Sequence, residues 1–346
     1  MSDIKIVNSL READWRRFVT ENPNGSIFHT PEMFQVFANT LGFKPGLWAA
    51  VDLSGYPLAL LLPVQIAVMK GLMRKLTTRA VVFGGVLWKP DAEGLQALAV
   101  LLKTYINEKK DAPIFTELRN LWDLGAGLPV LQEYGFEYEP HLNYLIDLSD
   151  GPEAVFQAIG SRTRKNIRRG LNRGEVLVDE IKERDQLAQC YELLEKTYEN
   201  AQVPLADRSL FESSFDILSS KGMIRFTQAC IGEVAVATSV ELLYKDVIYG
   251  WYGGVDRAYG NYVPNEIIMW RILEWGAKNG YRVYDFGGAG KPDEKYGVRD
   301  FKAKFGGELV SYGRNLYVHH PSMLWVSKIG YQTLRRLPLG KIIFKS

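Results

Sequence analysis

One order of elements occurs twice along this chain, and it restricts the fold more than any single motif does. In the first half Leu47–Leu53 reads as a strand, Ser54-Gly55 as a turn, Pro57–Val68 as a second strand and Ala80–Leu87 as a third. A helix over about Glu93–Lys109 and a strand at Ile114–Leu118 follow. The second half repeats the plan: strand Met223–Ile231, turn Gly232-Glu233, strand Val234–Tyr244, turn Lys245-Asp246, strand Val247–Tyr252, helix Pro264–Asn279, strand Arg282–Phe286. Even the third strands close alike, on Phe83-Gly84-Gly85-Val86 and Tyr252-Gly253-Gly254-Val255. Such an echo, at the same step of two matching orders, predicts a tandem pair of related α/β domains with mixed sheets. In each, the crossover helix makes the third and last strands parallel. The junction falls near Asp147–Glu153, where turn and N-cap residues precede a helix. The expected domains are therefore 1–150 and 151–320, with a basic tail over 321–346 that reads as a helix.

Composition narrows the function classes. With 346 residues, 47% hydrophobic and 24% charged, the chain can fill two cores. A net charge of +2 does not support wholesale nucleic-acid binding, so any polyanion contact must come from a local patch. Two cysteines, Cys190 and Cys230, make neither a disulfide framework nor a metal site, which fits a reducing compartment. The four histidines lack ligand spacing, and no metal is expected. The first residues lack a secretory apolar core, and no apolar run nears the roughly 18 residues that span a bilayer. A cytoplasmic protein is expected, with weak membrane-surface contact through the basic tail as an alternative for that segment.

Three stretches carry chemistry. In Tyr281–Gly307 a short strand delivers Asp285 to the start of a glycine-rich loop, and Phe301-Lys302-Ala303-Lys304-Phe305 follows. Read as a strand, period-two alternation puts Lys302 and Lys304 on one face and the phenylalanines on the other. A lysine facing a groove stabilises an oxyanion, and Asp285 is the nearest candidate general base. Second, Phe156, Ile159, Thr163, Ile167 and Leu171 form one buried helical stripe, so the basic residues of Ser161–Arg173 fan over the other faces; that basic fan fits a solvated face or an anion clamp. Arg164 and Arg168 stack one turn apart there. Third, Asp256–Pro264 joins the third strand to its helix, and a helix N-terminus attracts anions. The matching stretch of the first half, Leu87–Asp91, has no such pattern, so a donor would sit in the second domain.

Together these stretches resemble the FemABX peptidyltransferases and the FemAB-like acyltransferase domains of the GNAT superfamily. The resemblance covers nearly the whole chain and is carried by SRTRKNIRRGLNRG, VPNEIIMWRILEWGAKNGYRVYDFGG and FKAKFGGE. It implies two tandem GNAT-like domains with an interdomain groove, and transfer of an amino acid from aminoacyl-tRNA onto a cell-wall precursor peptide. By position it implies Lys302 at the developing oxyanion beside Phe301, and Arg164 and Arg168 on the anionic acceptor, with Tyr252 and Lys304 counted among the acceptor-binding residues. Arg257 and Gly260 match the spacing of the GNAT donor-phosphate loop, with Asn261 beside them, although Tyr262 stands where a small residue belongs. Members using tRNA often carry a long helical arm in the second domain; here Gln186–Ala201 and Arg208–Ser219 are too short for one. Aminoacyl-tRNA and acyl-CoA therefore both stay open as donors, with no tightly bound cofactor. The alternatives are an acyl-CoA-dependent N-acyltransferase acting on a small amine or amino sugar, and a non-catalytic module that binds an anionic precursor.

Overall fold

A computed structural model describes residues 4–67, 77–108, 110 and 112–326. The chain divides into two compact units, Met1–Glu139 with Tyr312–Ser346, and Pro140–Ser311.

In the first unit the meander splits. The strand expected over 57–68 is two strands, Pro57–Leu61 and Val64–Ala67, and position 68 lies outside the described residues. Pro63, without an N–H to give a ladder, sits at the break, and its carbonyl accepts from Gly46 N at 2.8 Å. The two pieces join different sheets. Lys5–Val7, Trp48–Val51, Pro57–Leu61 and Leu87–Trp88 form one, and Phe43–Pro45, Val64–Ala67, Thr78–Gly84, Phe115–Asn120, Arg314–Val318 and Glu137–Glu139 the other. Helix Ala92–Asn107, capped where Asp91 accepts from Gly94 N at 2.9 Å, buries Leu98, Leu101 and Leu102 against Val82, Trp88 and Leu118. The parallel pair Thr78–Gly84 and Phe115–Asn120 stays in register for five residues, from Ala80↔Thr116 to Gly84↔Asn120.

The second unit holds a sheet in the order Val176–Glu180, Ile224–Ile231, Val234–Tyr244, Val247–Val255, Val283–Gly288, Leu142–Asp147, Glu308–Ser311. Helix Pro264–Lys278 makes the crossover, and the strands on either side of it are parallel. Its Ile267, Trp270 and Leu273 share a core with Phe156, Ile167, Tyr284, Phe286 and Phe305. Helices Leu187–Ala201 and Arg208–Leu218 pack through Leu193 and Phe211 on Gly254 and Tyr252. They run 15 and 11 residues, so neither is a long arm.

The units differ from the expected limits at 150 and 320. Leu142–Asp147, placed before the junction by the sequence, pairs with Val283–Gly288 of the second sheet. Arg314–Val318 returns to pair with Phe115–Asn120 of the first. Each sheet takes a strand from beyond the turn-rich junction, because ladder partners are chosen in space and turn residues mark only local chain reversal. Among the described residues no helix is long and apolar enough to cross a membrane. Of the tail, residues 321–326 are helical; the rest of the expected tail helix and its membrane contact lie outside the described residues.

Candidate active site

The parallel strands of the second unit pair at only three positions, Val247↔Val283, Ile248↔Tyr284 and Tyr249↔Asp285. Beyond Tyr249 one strand runs on to Val255 and the other to Gly288 without pairing with each other. The equivalent pair of the first unit is closed, and the segment around Ser26–His29 packs on its end: a Cβ at Gly84 would lie 2.9 Å from Ser26 Oγ. An opening between parallel strands therefore exists in the second unit and not at the matching step of the first.

Glycines line this opening for different reasons. At Gly250 a Cβ would stand 2.5 Å from the hydroxyl of the buried Tyr284, and at Gly254 2.8 Å from the carbonyl of Leu193. Packing accounts for both. At Gly253 a Cβ would meet only Thr238 O, at 3.9 Å, and the residue is exposed. No packing requires this glycine, so it leaves the backbone open to close approach by a ligand.

Asp285 ends the paired stretch. Its Oδ1 accepts from Asn143 Nδ2 at 2.6 Å and from Gly287 N at 2.7 Å. Burial pushes the carboxyl up to about 6, against these two hydrogen bonds and the nearby Lys302 charge. Asn143 was not singled out in the sequence, where its strand belonged to the other domain. The signal present was an asparagine among Leu142, Tyr144, Leu145 and Ile146 in strand Leu142–Asp147.

Lys302 lies on helix Gly297–Ala303, not on a strand. Phe301 and Phe305, four apart, fit a helical face as well as a strand, and the sequence alone did not separate the two. The helix corrects the shared face assigned to the two lysines: Lys302 is buried, whereas Lys304 is exposed with its Nζ 5.7 Å from the Phe301 ring centre. Lys302 Nζ donates to the carbonyls of Phe286 at 2.6 Å, Gly287 at 3.2 Å and Gly288 at 2.8 Å. Burial lowers its ammonium to about 8, with Asp285 acting in the opposite sense. Phe301 is half-buried and meets Phe305 edge-on, ring centres 5.1 Å apart.

The helix bearing the basic residues adjoins this segment. The expected single stripe breaks at Gly160 into Gly151–Ala158 and Ser161–Arg173, and Gly160 N donates to Lys304 O at 2.9 Å. Thr163 and Ile167 are buried as the spacing predicts. The Arg164 guanidinium is held on Gln157, and Arg168 stacks over the Phe156 ring with its carbon 5.0 Å from the centre. Tyr252 belongs to an aromatic cluster with Phe211 at 4.8 Å, Trp251 at 5.0 Å and Tyr198 at 5.8 Å between ring centres.

The loop after strand Val247–Val255 is a 3-10 segment, Arg257–Tyr262. Asp256 caps it through Ala258 N and is paired with Lys196 at 2.6 Å. Arg257, Gly260 and Asn261 are exposed along it, a Cβ at Gly260 would meet nothing, and Asn261 O accepts from Arg173 at 3.4 Å. Val263 then adopts a left-handed conformation, φ 53°, and Pro264 starts the crossover helix, whose first turn has no side-chain cap. Among the described residues no three His, Cys, Asp or Glu side chains gather into a metal-binding group.

Residues 161–302 match the family model of the acetyltransferase (GNAT) domain. Among solved structures the chain is similar to FemX, at 15% identity, covering 93% of this chain and 99% of that one with a TM-score of 0.71. It is similar to the C-terminal domain of a putative lysylphosphatidylglycerol synthetase from Agrobacterium fabrum, at 12% identity, covering 93% and 96% with a TM-score of 0.57. A tandem GNAT protein from the clavulanic acid biosynthesis pathway matches at 10% identity, covering 92% and 99% with a TM-score of 0.57. No curated protein matches the chain by sequence. The family model makes residues 161–302 a domain of GNAT acetyltransferase type. The fold is the one shared with FemX and the tandem GNAT protein, two GNAT-like domains in tandem, and the matched domain is the one with parted strands.

Proposed function

We propose that the second unit transfers an acyl or aminoacyl group onto an amine of an anionic acceptor, of which a cell-wall precursor peptide is the type the FemABX resemblance implies. The observation that carries this is the parting of Val247–Val255 from Val283–Gly288 after Tyr249↔Asp285, with Lys302 buried at the parted end. The donor lies along the opened strand past Gly253, its phosphate near Arg257, Gly260, Asn261 and the N-terminus of helix Pro264–Lys278. Tyr252 and Phe301 border the acceptor, and Arg164 and Arg168 meet its negative charge after leaving Gln157 and Phe156.

The acceptor amine attacks the ester or thioester carbonyl, forming a carbon–nitrogen bond and a tetrahedral oxyanion. Lys302 exchanges its longest bond, 3.2 Å to Gly287 O, for that oxyanion. Asp285, raised to about 6, takes the ammonium proton, and as the carbon–sulfur or carbon–oxygen bond breaks the same proton passes to the leaving thiolate or ribose oxygen, giving the amide and restoring the carboxylate.

An acyl-CoA donor is favoured over charged tRNA by the compact helices Leu187–Ala201 and Arg208–Leu218, which leave no long arm. The test is a panel of acetyl-CoA, longer acyl-CoAs and charged tRNA with amino-sugar and nucleotide-peptide acceptors, followed by mass spectrometry of products. Binding of an acceptor without turnover of any donor would instead favour a non-catalytic binding module. A CoA donor further requires that Arg257→Ala weaken its binding in calorimetry.

A further inference from the structure

Helix Gly297–Ala303 carries a second cation whose role the proposed chemistry leaves open. Arg299 donates from Nε to Ala289 O at 2.8 Å, from Nη1 to Pro292 O at 3.1 Å, and from Nη2 to Lys291 O. It lies three residues before Lys302, so the two share a helical face. Between them they hold six of the seven carbonyls in the run 286–292, those of 286, 287 and 288 on Lys302 and those of 289, 291 and 292 on Arg299, while Gly290 O accepts from Leu142 N at 2.9 Å. Acidic side chains stand nearby in sequence, at Asp293, Glu294 and Asp300, yet among the described residues Arg299 makes its hydrogen bonds only to this loop.

The ladder holds one side of this run, through Asn143↔Gly288, Ala289 N donating to Leu142 O at 2.6 Å and Leu142 N donating to Gly290 O at 2.9 Å; on the side of helix Gly297–Ala303 the glycine-rich backbone is held by Lys302 and Arg299. Lysine is a point donor on a flexible stem and cannot set the direction of a loop. A guanidinium is a planar fork that can. Backbone continuity then passes the order from Ala289 back to Gly288, Gly287 and Phe286, the carbonyls that hold the Lys302 ammonium.

We propose that Arg299 is a positioning residue: by gripping the carbonyls of Ala289, Lys291 and Pro292 it completes, on the side the Leu142 ladder leaves open, the arrangement that cages Lys302 Nζ. The proposal rests on the transferase reading for its functional meaning, but the cage is tested without any substrate.

The experiment is competitive acetylation of the intact protein with trace acetic anhydride from pH 6 to pH 11. Rates at Lys302 and Lys304 are read by mass spectrometry, and folding is checked by thermal unfolding. In the wild type Lys302 reacts at least about tenfold more slowly than the exposed Lys304, because burial and hydrogen bonding withhold its lone pair. In Arg299→Ala the Lys302 rate rises to within about threefold of Lys304 and its titration midpoint moves up toward an ordinary lysine. Arg299→Lys gives the same exposure, since one ammonium cannot span three carbonyls, and it serves if the alanine variant does not fold. Arg271→Ala, which removes an exposed arginine from another helix, leaves Lys302 protected. Lys302 staying as slow and as low-titrating in folded Arg299→Ala or Arg299→Lys as in the wild type overturns the proposal. Turnover by Lys302 variants is a separate measurement, so an uncaged Lys302 with no effect of Lys302 on transfer sinks the catalytic reading and leaves the positioning role standing.

Discussion

Lys302 Nζ donates to the carbonyl oxygen of Phe286 at 2.6 Å, across 16 residues of chain. Phe286 follows Asp285, at which the two parallel strands stop pairing, so this bond fixes a cation at the point where the sheet opens. Burial makes the site sensitive to protonation near neutral pH, raising the Asp285 carboxyl and lowering the Lys302 ammonium against the attraction between the two charges.

The pH dependence of transfer follows. Asp285 must be ionised to take a proton and Lys302 protonated to donate, with values of about 6 and about 8. The rate should describe a bell with those limits and a maximum near pH 7, the limits belonging to the coupled pair. Asp285→Asn should abolish the acid limb; an unchanged limb in steady-state kinetics would remove Asp285 as the base.

Two neighbouring glycines should respond differently to one methyl group. Gly254→Ala drives a Cβ to 2.8 Å from Leu193 O and should lower stability by about 2 kcal/mol or more. Gly253→Ala meets nothing nearer than 3.9 Å and should stay within about 0.5 kcal/mol of wild type while weakening donor binding at least about tenfold. Denaturant melts and donor titrations of the two proteins separate these effects.

Glu241 gives a stability prediction away from the reaction. It is fully buried, Ser239 donates to its Oε1, and its Oε2 has no hydrogen-bond partner. Burial pushes it up from 4.5 to about 8. A raised folded-state value favours the fold fully below 4.5 and loses that contribution as pH climbs through 8. Glu241→Gln, neutral throughout, should therefore match wild type near pH 4 and gain up to about 3 kcal/mol on it at pH 7. Denaturation at the two pH values checks the sign. An equal difference at both would refute the assignment.

Much of the second unit was legible in the sequence because its elements are local: strand Val234–Tyr244 and helix Pro264–Lys278 follow their own hydrophobic spacing and turn residues. What failed was decided in three dimensions or balanced between two periods. Leu142–Asp147 and Arg314–Val318 read as parts of the wrong domain because their partners are far away in sequence. Phe301–Phe305 satisfies strand and helix alike, and only the helix shows that Lys302 faces inward and Lys304 outward. Asn143 and Arg299 carried no motif; each matters through a partner, Asp285 in one case and three loop carbonyls in the other. The loop Arg257–Tyr262 and the FK segment were visible as residue types, whereas the parting of the strands between them was not, since register leaves no mark on composition.

The most direct test of a Lys302-dependent transferase compares wild type with Lys302→Met, which keeps the volume and removes the charge. Single-turnover transfer is measured with whichever donor and acceptor pair the panel yields. The acyl-transfer rate should be at least about a hundredfold lower in Lys302→Met, with the donor still bound and the variant still folded. Transfer within about threefold of wild type by that folded variant would contradict it.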